Sequence, residues 1–112
     1  MEEWRIVDGY ENYEVSSHGR IRNIDTNKLL KIGIPSGQGG QVKLSKNGKT
    51  KGFTISRLVG LAFIPNPENK KYVMRKAADG KLDYYNNRVD NLVWATKEEL
   101  KYRNENLNPF IN

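Results

Sequence analysis

The sequence contains no cysteine, which excludes disulfide bonds and any zinc site built on cysteine ligands. It has no apolar run near the ~20 residues that a helix needs to span a bilayer, so we expect no membrane partner. Its first residues contain no basic segment followed by an apolar one, so we expect no signal peptide and a cytoplasmic protein. Histidine occurs only once, at His18, which restricts the acid–base chemistry open to the chain.

Positively charged residues outnumber negatively charged residues in the chain. It has 112 residues, close to the usual size of one compact domain, and a formal net charge of +6. An excess of lysine and arginine on a small domain favours a polyanionic partner, most often nucleic acid. A basic surface without any partner is the plainer interpretation of the same charge.

The first half of the chain is predicted to be β structure, because short apolar-rich runs alternate with turn residues. These runs are WRIV, YEVSS, RIRNI, KLLKIGI, QVKLSK and KGFTI. Asn47 and Gly48 lie between the last two and predict a type I′ hairpin turn, in which both central residues have φ > 0. Val42 and Leu44 alternate with polar residues such as Lys43, so we expect the apolar face to point inward and the lysines outward.

Two helices are predicted in the second half. SRLVGLAFI favours a helix with Leu58, Leu61 and Ala62 on one face and Ser56 as its N-cap, ended by the prolines of PNPENKK. An irregular stretch is expected over about residues 72–94. A last helix is expected to start at Thr96, with glutamates near its positive end, and to lead into a frayed tail.

Two segments, in this order, resemble a known family. The first, EEWRIVDGYENYEVSSHGRIRNI, is similar to the NUMOD4 motif at Trp4, Gly9-Tyr10-Glu11, Tyr13, Val15-Ser16, Gly19-Arg20 and Arg22. The second, SRLVGLAFIPNPENKKYV with NNRVDNLVWAT, resembles the HNH module of phage and intron-encoded homing endonucleases. The resemblance implies an α+β fold in one compact unit. A β-rich module would cover residues 1–54, a ββα-metal unit residues 55–105 and a tail residues 106–112.

The resemblance also implies a DNA endonuclease, in which a divalent cation polarises the scissile phosphate and a histidine activates water. The family pattern is roughly V-[DN]-H-x-[DN]-G. Counted forward from the valine of VMRK, the metal ligand falls on Met74 and the histidine on Arg75. Counted back from the following Asp-Gly pair, they fall on Lys76 and Ala77. Neither register supplies a base or a hard oxygen ligand for magnesium.

Other motif positions are partly retained. Leu100 stands six positions after the motif's tryptophan, where the family often has asparagine. Asp79, Asn87 and Asn91 remain, and we expect the asparagines to brace a tight loop. His18 is expected to be a turn residue rather than a catalytic base.

The leading interpretation is a DNA-binding protein of the HNH homing endonuclease kind. With this sequence we expect it to bind no metal and to leave DNA uncleaved. The adjacent alanines at positions 77 and 78 fit natural decay or engineered inactivation. One alternative is an active DNA-nicking enzyme that uses Mg²⁺ or another divalent cation, with Asp79, Asp83 and Asp90 as oxygen ligands. Another is a retired nuclease fold that acts on a protein partner, which would require a sizeable exposed apolar patch.

Seven basic residues are predicted to contact double-stranded DNA. Arg20 and Arg22 stand two apart, hence on one face of a strand. Four lysines surround one hairpin, a shape that can enter the major groove: Lys43, Lys46, Lys49 and Lys51. Arg57 begins the helix that the family uses near the scissile bond. The plainer interpretation of the lysines is protection of an exposed sheet edge against aggregation. A phage-encoded protein of this kind would work in the host cytoplasm.

Overall fold

A computed structural model describes residues 1–33, 40–78, 81–82 and 86–106, with the side chains of all of these except 77–78, 81–82 and 103–106. The chain is α+β, as the sequence predicts. Its strands are β1 (Trp4–Val7), β2 (Tyr10–Ser16), β3 (Ile21–Asn23), β4 (Gln41–Lys46), β5 (Lys49–Thr54), β6 (Tyr72–Arg75), β7 (Ala77–Ala78), β8 (Lys81–Leu82) and β9 (Leu92–Ala95). Its helices are α1 (Ile55–Phe63) and α2 (Lys97–Asn106), with a 3-10 turn at Val89–Asn91.

The N-terminal strands form an antiparallel sheet in the order β1-β2-β3. Val15 of β2 is fully buried and pairs with Arg5 on one side and Ile21 on the other. The turn into β3 is held by the buried Ser16, whose Oγ accepts hydrogen bonds from the backbone N–H groups of His18 and Arg20, at 3.1 and 3.0 Å. These side chain–backbone bonds replace a turn's missing ladder contacts.

The predicted hairpin is confirmed. β4 and β5 pair from Gln41 opposite Thr54 to Lys46 opposite Lys49. Asn47 and Gly48 have φ values of 52° and 76°, as a type I′ turn requires. The strand expected in KLLKIGI was wrong, because within the described residues it forms only isolated bridges at Leu29 and Gly33. Its neighbour β3 is three residues long and offers little edge to pair with.

Helix α1 differs from its prediction in phase. Thr54 is its N-cap, and Ser56 is buried inside the first turn. The buried face starts at Ile55 and continues through Leu58 and Val59, whereas the side chain of Leu61 is 61% exposed. The apolar residues of LVGLAF fit a helical face in more than one phase, and the buried face is the one that includes Ile55 rather than Leu61.

The stretch after α1 is more ordered than expected. β6 and β9 pair antiparallel, from Tyr72 opposite Ala95 to Arg75 opposite Leu92, at the two ends of the stretch predicted to be irregular. Two four-residue strands separated by 16 residues leave little local signal, and their pairing depends on the packing of α1. A Cβ on Gly60 of α1 would lie 2.7 Å from a methyl carbon of Val73 in β6, so the close contact requires glycine.

The last helix begins one residue after its predicted start. Thr96 and Glu99 form a reciprocal capping box, in which each side chain accepts the other residue's backbone N–H, at 3.1 and 2.9 Å. The helix continues to Asn106, where a tail had been expected, and the rest of that tail lies outside the described residues. Neither described helix combines the length and the apolar character that crossing a bilayer requires.

One hydrophobic core lies between the sheets and α1. It combines buried side chains of β1 to β4 with those of α1 and β9: Val7, Val15, Ile21, Val42, Leu44, Ile55, Leu58, Val59 and Leu92. Because α1 contacts both the N-terminal sheet and the β6–β9 pair, it fixes the position of one relative to the other.

Candidate nucleic-acid interface

The hairpin lysines do not share one face, contrary to the expectation that all of them point away from the apolar face. Directly opposed residues of an antiparallel pair lie on the same face. Lys51 pairs with Leu44 and Lys46 pairs with Lys49, so these three lysines lie on the face of the buried leucine, towards the turn of the hairpin. Lys43 pairs with Gly52 on the opposite face.

Each hairpin lysine is exposed, and none forms an ion pair within the described part of the chain. The ammonium of Lys46 donates to the backbone oxygen of Gly9 at 2.8 Å and lies 5.8 Å from the ring centre of Tyr10. The ammonium of Lys51 lies 5.4 Å from the ring centre of Phe53. These contacts position the cations without neutralising them, which suits attraction to phosphate.

The face of the hairpin that carries Lys43 is polar. Lys43 stands opposite Gly52, where an added Cβ would meet nothing within 4 Å. Beside this pair, the hydroxyls of Ser45 and Thr50 lie 3.0 Å apart. Hydroxyl and ammonium groups are typical phosphate donors, and the bare glycine lets a partner approach the backbone closely.

The two arginines of the N-terminal sheet do lie together, and both are ion-paired. Arg20 forms a two-point contact with the carboxylate of Glu2, and Arg22 Nε donates to Glu14 Oε1 at 2.9 Å. Their guanidinium carbons lie 5.7 and 4.0 Å from the ring centre of Trp4. We call Trp4, Arg20, Arg22 and the two glutamates the arginine cluster. Its cations are balanced by an equal number of carboxylates.

The Glu2 carboxylate is strongly held in its charged form. The hydrogen bond from Arg20, followed by that from Ser16, lowers the pKa of Glu2 from its ordinary 4.5 to about 2. Arg20 is therefore engaged at every pH near neutrality.

Arg57 also has a structural partner. Its Nη1 donates to the backbone oxygen of Lys71 at 2.7 Å, and its guanidinium carbon lies 5.8 Å from the ring centre of Trp94. The side chain is exposed, so it ties α1 to the start of β6 while its charge stays in water.

We call residues 72–94 the HNH-like segment, and it brings Arg75 and Asn87 together. Val73 faces α1, so Arg75, two residues further along the strand, points to the same side. Its Nη2 donates to Asn87 Oδ1 at 2.6 Å. Asn87 is only 8% exposed. A Cβ added to Gly19 would lie 2.9 Å from the Cβ of Asn87, so the two residues are in close contact. The N-terminal turn and the HNH-like segment thus meet at this amide.

Asn91 makes the local contacts that a bracing role predicts. Its Nδ2 donates to the backbone oxygen of Asn86 at 2.9 Å, and its own backbone oxygen accepts from the N–H of Lys76 at 2.8 Å. The other candidate positions lie on several elements and differ in exposure. Met74 and Leu100 are half-buried on different elements, and Lys76 and Asp90 are exposed. Ala77 lies in β7, and Asp79 and Asp83 lie outside the described residues.

The described donor set does not fit a divalent cation. Among the described residues, no three acidic or histidine side chains cluster. The amide oxygen of Asn87 is bound by a guanidinium, which would repel a divalent cation brought to the same oxygen.

His18 lies beside the HNH-like segment, which its position in the sequence did not suggest. Arg88 Nη2 and His18 Nε2 are 3.0 Å apart, and the N–H of Val89 donates to the oxygen of Ser17 at 2.9 Å. Because the guanidinium can only donate, the histidine Nε2 is the acceptor in this contact. A separation of 70 residues hides this contact from any local pattern.

Among the described residues, large apolar side chains are exposed at seven positions: Met1, Ile6, Ile24, Leu29, Leu61, Tyr72 and Tyr102. Ile6 is 56% and Leu61 61% exposed, and both line one cavity between β1 and α1. Arg5 crosses the same area, donating from Nη1 to the backbone oxygen of Ala62 at 2.7 Å. The protein-partner alternative stays a prediction.

The chain carries the NUMOD4 motif over residues 2–52. Its motif, sequence and fold are those of the NUMOD4/HNH homing endonuclease family, which confirms the resemblance drawn from the sequence. Two uncharacterized HNH endonucleases of Acanthamoeba polyphaga mimivirus, L245 and L247, are 39% and 40% identical to it over 82% and 83% of its length. The DNA endonuclease I-HmuI of Bacillus phage SP01 is 38% identical over 86% of the chain.

The solved structure that describes DNA binding and cleavage by the HNH homing endonuclease I-HmuI matches the fold closely. The TM-score is 0.79 at 35% identity, over 95% of this chain. The chain spans 26% and 23% of the two mimivirus proteins, 53% of the phage protein and 61% of the chain in that structure. It therefore corresponds to part of these longer proteins.

Proposed function

We propose that this chain binds double-stranded DNA through the β4–β5 hairpin and does not hydrolyse it. The observation that carries the proposal is the set of four exposed hairpin lysines without ion-pair partners among the described residues. The likeness to I-HmuI, whose structure is described as binding DNA, supports the same partner. Since the relatives belong to a phage and a giant virus, we place this activity in the host cell.

The hairpin binds by neutralising phosphates and releasing their counterions. Each phosphate contact adds about 0.9 to the salt slope for duplex DNA, so four lysines predict a slope of about −3.6. Such contacts fix position on the duplex and carry little sequence information. The arginine cluster contributes less, because each guanidinium would have to exchange a carboxylate for a phosphate.

The absence of cleavage follows from the chemistry of the HNH-like segment. Phosphodiester hydrolysis in this family needs a general base and a divalent cation. Arg75 stands at one of the two positions expected for the base, and its guanidinium cannot accept a proton. The only histidine, His18, uses its Nε2 to accept from Arg88.

A second candidate is metal-dependent nicking with His18 as the base. The observation in its favour is that His18 lies against the segment that bears Asn87, Asp90 and Asn91. For this chemistry His18 would have to exchange Arg88 for a water molecule. The candidate therefore predicts activity that disappears in His18→Ala and survives in Lys49→Ala at saturating protein.

One experiment separates the two candidates. Supercoiled plasmid is incubated with the protein in EDTA, Mg²⁺ or Mn²⁺, and samples are analysed both for retardation and for open circles. We expect retardation in all three conditions and no nicking. Open circles that require the metal and are lost in His18→Ala or Asp79→Ala would overturn the claim that the chain does not cleave.

A further inference from the structure

Three asparagines in the described part of the chain have a backbone conformation in the left-handed region. Asn27, Asn47 and Asn69 have φ values of 58°, 52° and 53°, and all three residues are exposed. Asparagine adopts this conformation more readily than most residues, so each of them suits its turn. The three positions share their conformation and their access to water, and they differ in the residue that follows.

The backbone N–H that follows two of these asparagines is engaged in a hydrogen bond. After the first, the N–H of Lys28 donates to Thr26 Oγ1 at 3.4 Å, and after the last, the N–H of Lys70 donates to Asn66 Oδ1 at 2.9 Å. Both following residues are lysines, whose side chains crowd the backbone beside the asparagine. The backbone nitrogen at these two positions is therefore restrained and shielded.

Asn47 differs from them on both counts. The residue that follows is Gly48, which has no side chain, and a Cβ added there would meet nothing within 4 Å. Among the described residues, neither the Gly48 N–H nor the Asn47 side-chain amide has a hydrogen-bond partner. An unrestrained backbone nitrogen thus lies next to an unrestrained carboxamide, and both are open to water.

We propose that Asn47 is a site of spontaneous deamidation, and that the reaction weakens DNA binding by the hairpin; the second part rests on the proposed function. The Gly48 nitrogen loses its proton to hydroxide and attacks Asn47 Cγ, forming a five-membered imide. The Cγ–Nδ2 bond breaks, and Nδ2 takes a proton from water and leaves as ammonia. Water then opens the imide at either carbonyl, giving aspartate or isoaspartate. The attack requires rotation about the Asn47 Cα–C bond, which glycine at the next position leaves unhindered.

The new carboxylate would lie between Lys46 and Lys49, the opposed pair at the turn of the hairpin. It balances one of the hairpin cations within the protein, so fewer counterions are released when the hairpin meets phosphate. Aspartate before glycine still suits a type I′ turn. Isoaspartate adds one carbon to the backbone and disturbs the register of β4 and β5. Both products therefore act in the same direction on DNA affinity.

The modification itself is tested by peptide mass spectrometry of folded protein kept in mildly alkaline buffer. We expect Asn47 to convert several-fold faster than Asn27 and Asn69, because only its neighbouring nitrogen is unrestrained. Asn47→Gly is the matched variant, since Gly-Gly also suits a type I′ turn but carries no amide. Equal rates at the three asparagines, or conversion of Asn47 only after unfolding in urea, would overturn the assignment.

The consequence is tested on the same samples by titration of a labelled duplex in EDTA at several salt concentrations. The parent should lose affinity in step with conversion, whereas Asn47→Gly should keep its affinity. Asn47→Asp should reduce the salt slope by about one unit, and the charge-matched Asn27→Asp, outside the hairpin, should change it much less. Unchanged affinity of converted protein would reject the effect on DNA binding. A parent that never binds DNA would reject the proposed function, while the mass measurement still decides the modification site.

Discussion

The arginine cluster and the β4–β5 hairpin both place cations beside aromatic rings, yet only the hairpin keeps its charge available. The guanidinium of Arg22 lies 4.0 Å from the Trp4 ring centre and is bound by Glu14. The ammonium of Lys51 lies 5.4 Å from the Phe53 ring centre and has no ion-pair partner in the described chain. A local excess of positive residues in sequence is therefore not the same as a positive surface.

Strand register explains the difference. Glu14 of β2 lies directly opposite Arg22 of β3, so the two side chains share a face and meet. In the hairpin, Lys46 lies opposite Lys49 and Lys43 opposite Gly52. No acid stands across from any of these lysines, and the like-charged pair is retained at some expense of stability.

The largest effect should separate the two regions by DNA affinity. Lys46→Gln with Lys49→Gln should lower the salt slope by about two units and weaken binding at least tenfold at low salt. Arg20→Gln with Arg22→Gln removes the same charge and should change the slope by less than about one unit. The measurement is fluorescence anisotropy of a labelled duplex over a range of salt. Equal losses in the two double variants would show that the carboxylates do not screen the arginines.

The arginine cluster should instead matter for stability. Trp4→Ala removes the ring on which both guanidinium groups stack, and we expect about 2 kcal/mol of destabilisation. Phe53→Ala in the hairpin would be the matched change, but Phe53 packs against the core and its loss would destabilise the protein for that reason. Tyr102→Ala, at an exposed position of α2, is therefore the better control. Urea unfolding gives both values. Destabilisation below about 0.5 kcal/mol for Trp4→Ala would deny the cluster a structural role.

The Glu2–Arg20 pair should make stability depend on acid pH. The folded-state pKa of Glu2, about 2, lies below the ordinary 4.5, so its contribution is complete above pH 4.5 and is lost as the pH falls towards 2. Because Arg20 is half-exposed, we expect only about 1 kcal/mol from Glu2→Gln at pH 7. The difference from the parent should vanish near pH 2. Glu3→Gln is the charge-matched control, and an equal effect there would contradict the assignment.

The smallest effect concerns the hairpin itself. Lys49→Gln removes one member of the opposed lysine pair and should stabilise the protein by a few tenths of a kcal/mol. Its DNA affinity should nevertheless fall. Thermal unfolding at low and high salt checks this, because screening should erase the gain. A loss of stability at low salt would mean that the two ammonium groups do not repel each other.

Short-range signals in the sequence predicted the parts of the fold that depend on neighbouring residues. Asn47-Gly48 specified its turn, and Thr96 marked the start of α2 to within one residue. The β6–β9 pair and the contact between His18 and Arg88 depend on residues far apart, so no local pattern reveals them.

The sequence predicted which basic residues belong to the candidate site, but not which of them pair with carboxylates. The sequence identified the basic residues, yet the strand register decides that Glu14 meets Arg22. Arg75 stood out in the sequence only as the place of a missing histidine. Its contact with Asn87 becomes visible once β6 is folded against α1.

The most direct measurement of the central claim is the affinity for a duplex as a function of salt, in EDTA and again with Mg²⁺. We expect binding in EDTA, a salt slope of about −3 or steeper, little change with Mg²⁺ beyond ionic strength, and intact DNA recovered afterwards. The absence of binding at low salt in EDTA would contradict it, as would cleaved DNA in the presence of Mg²⁺.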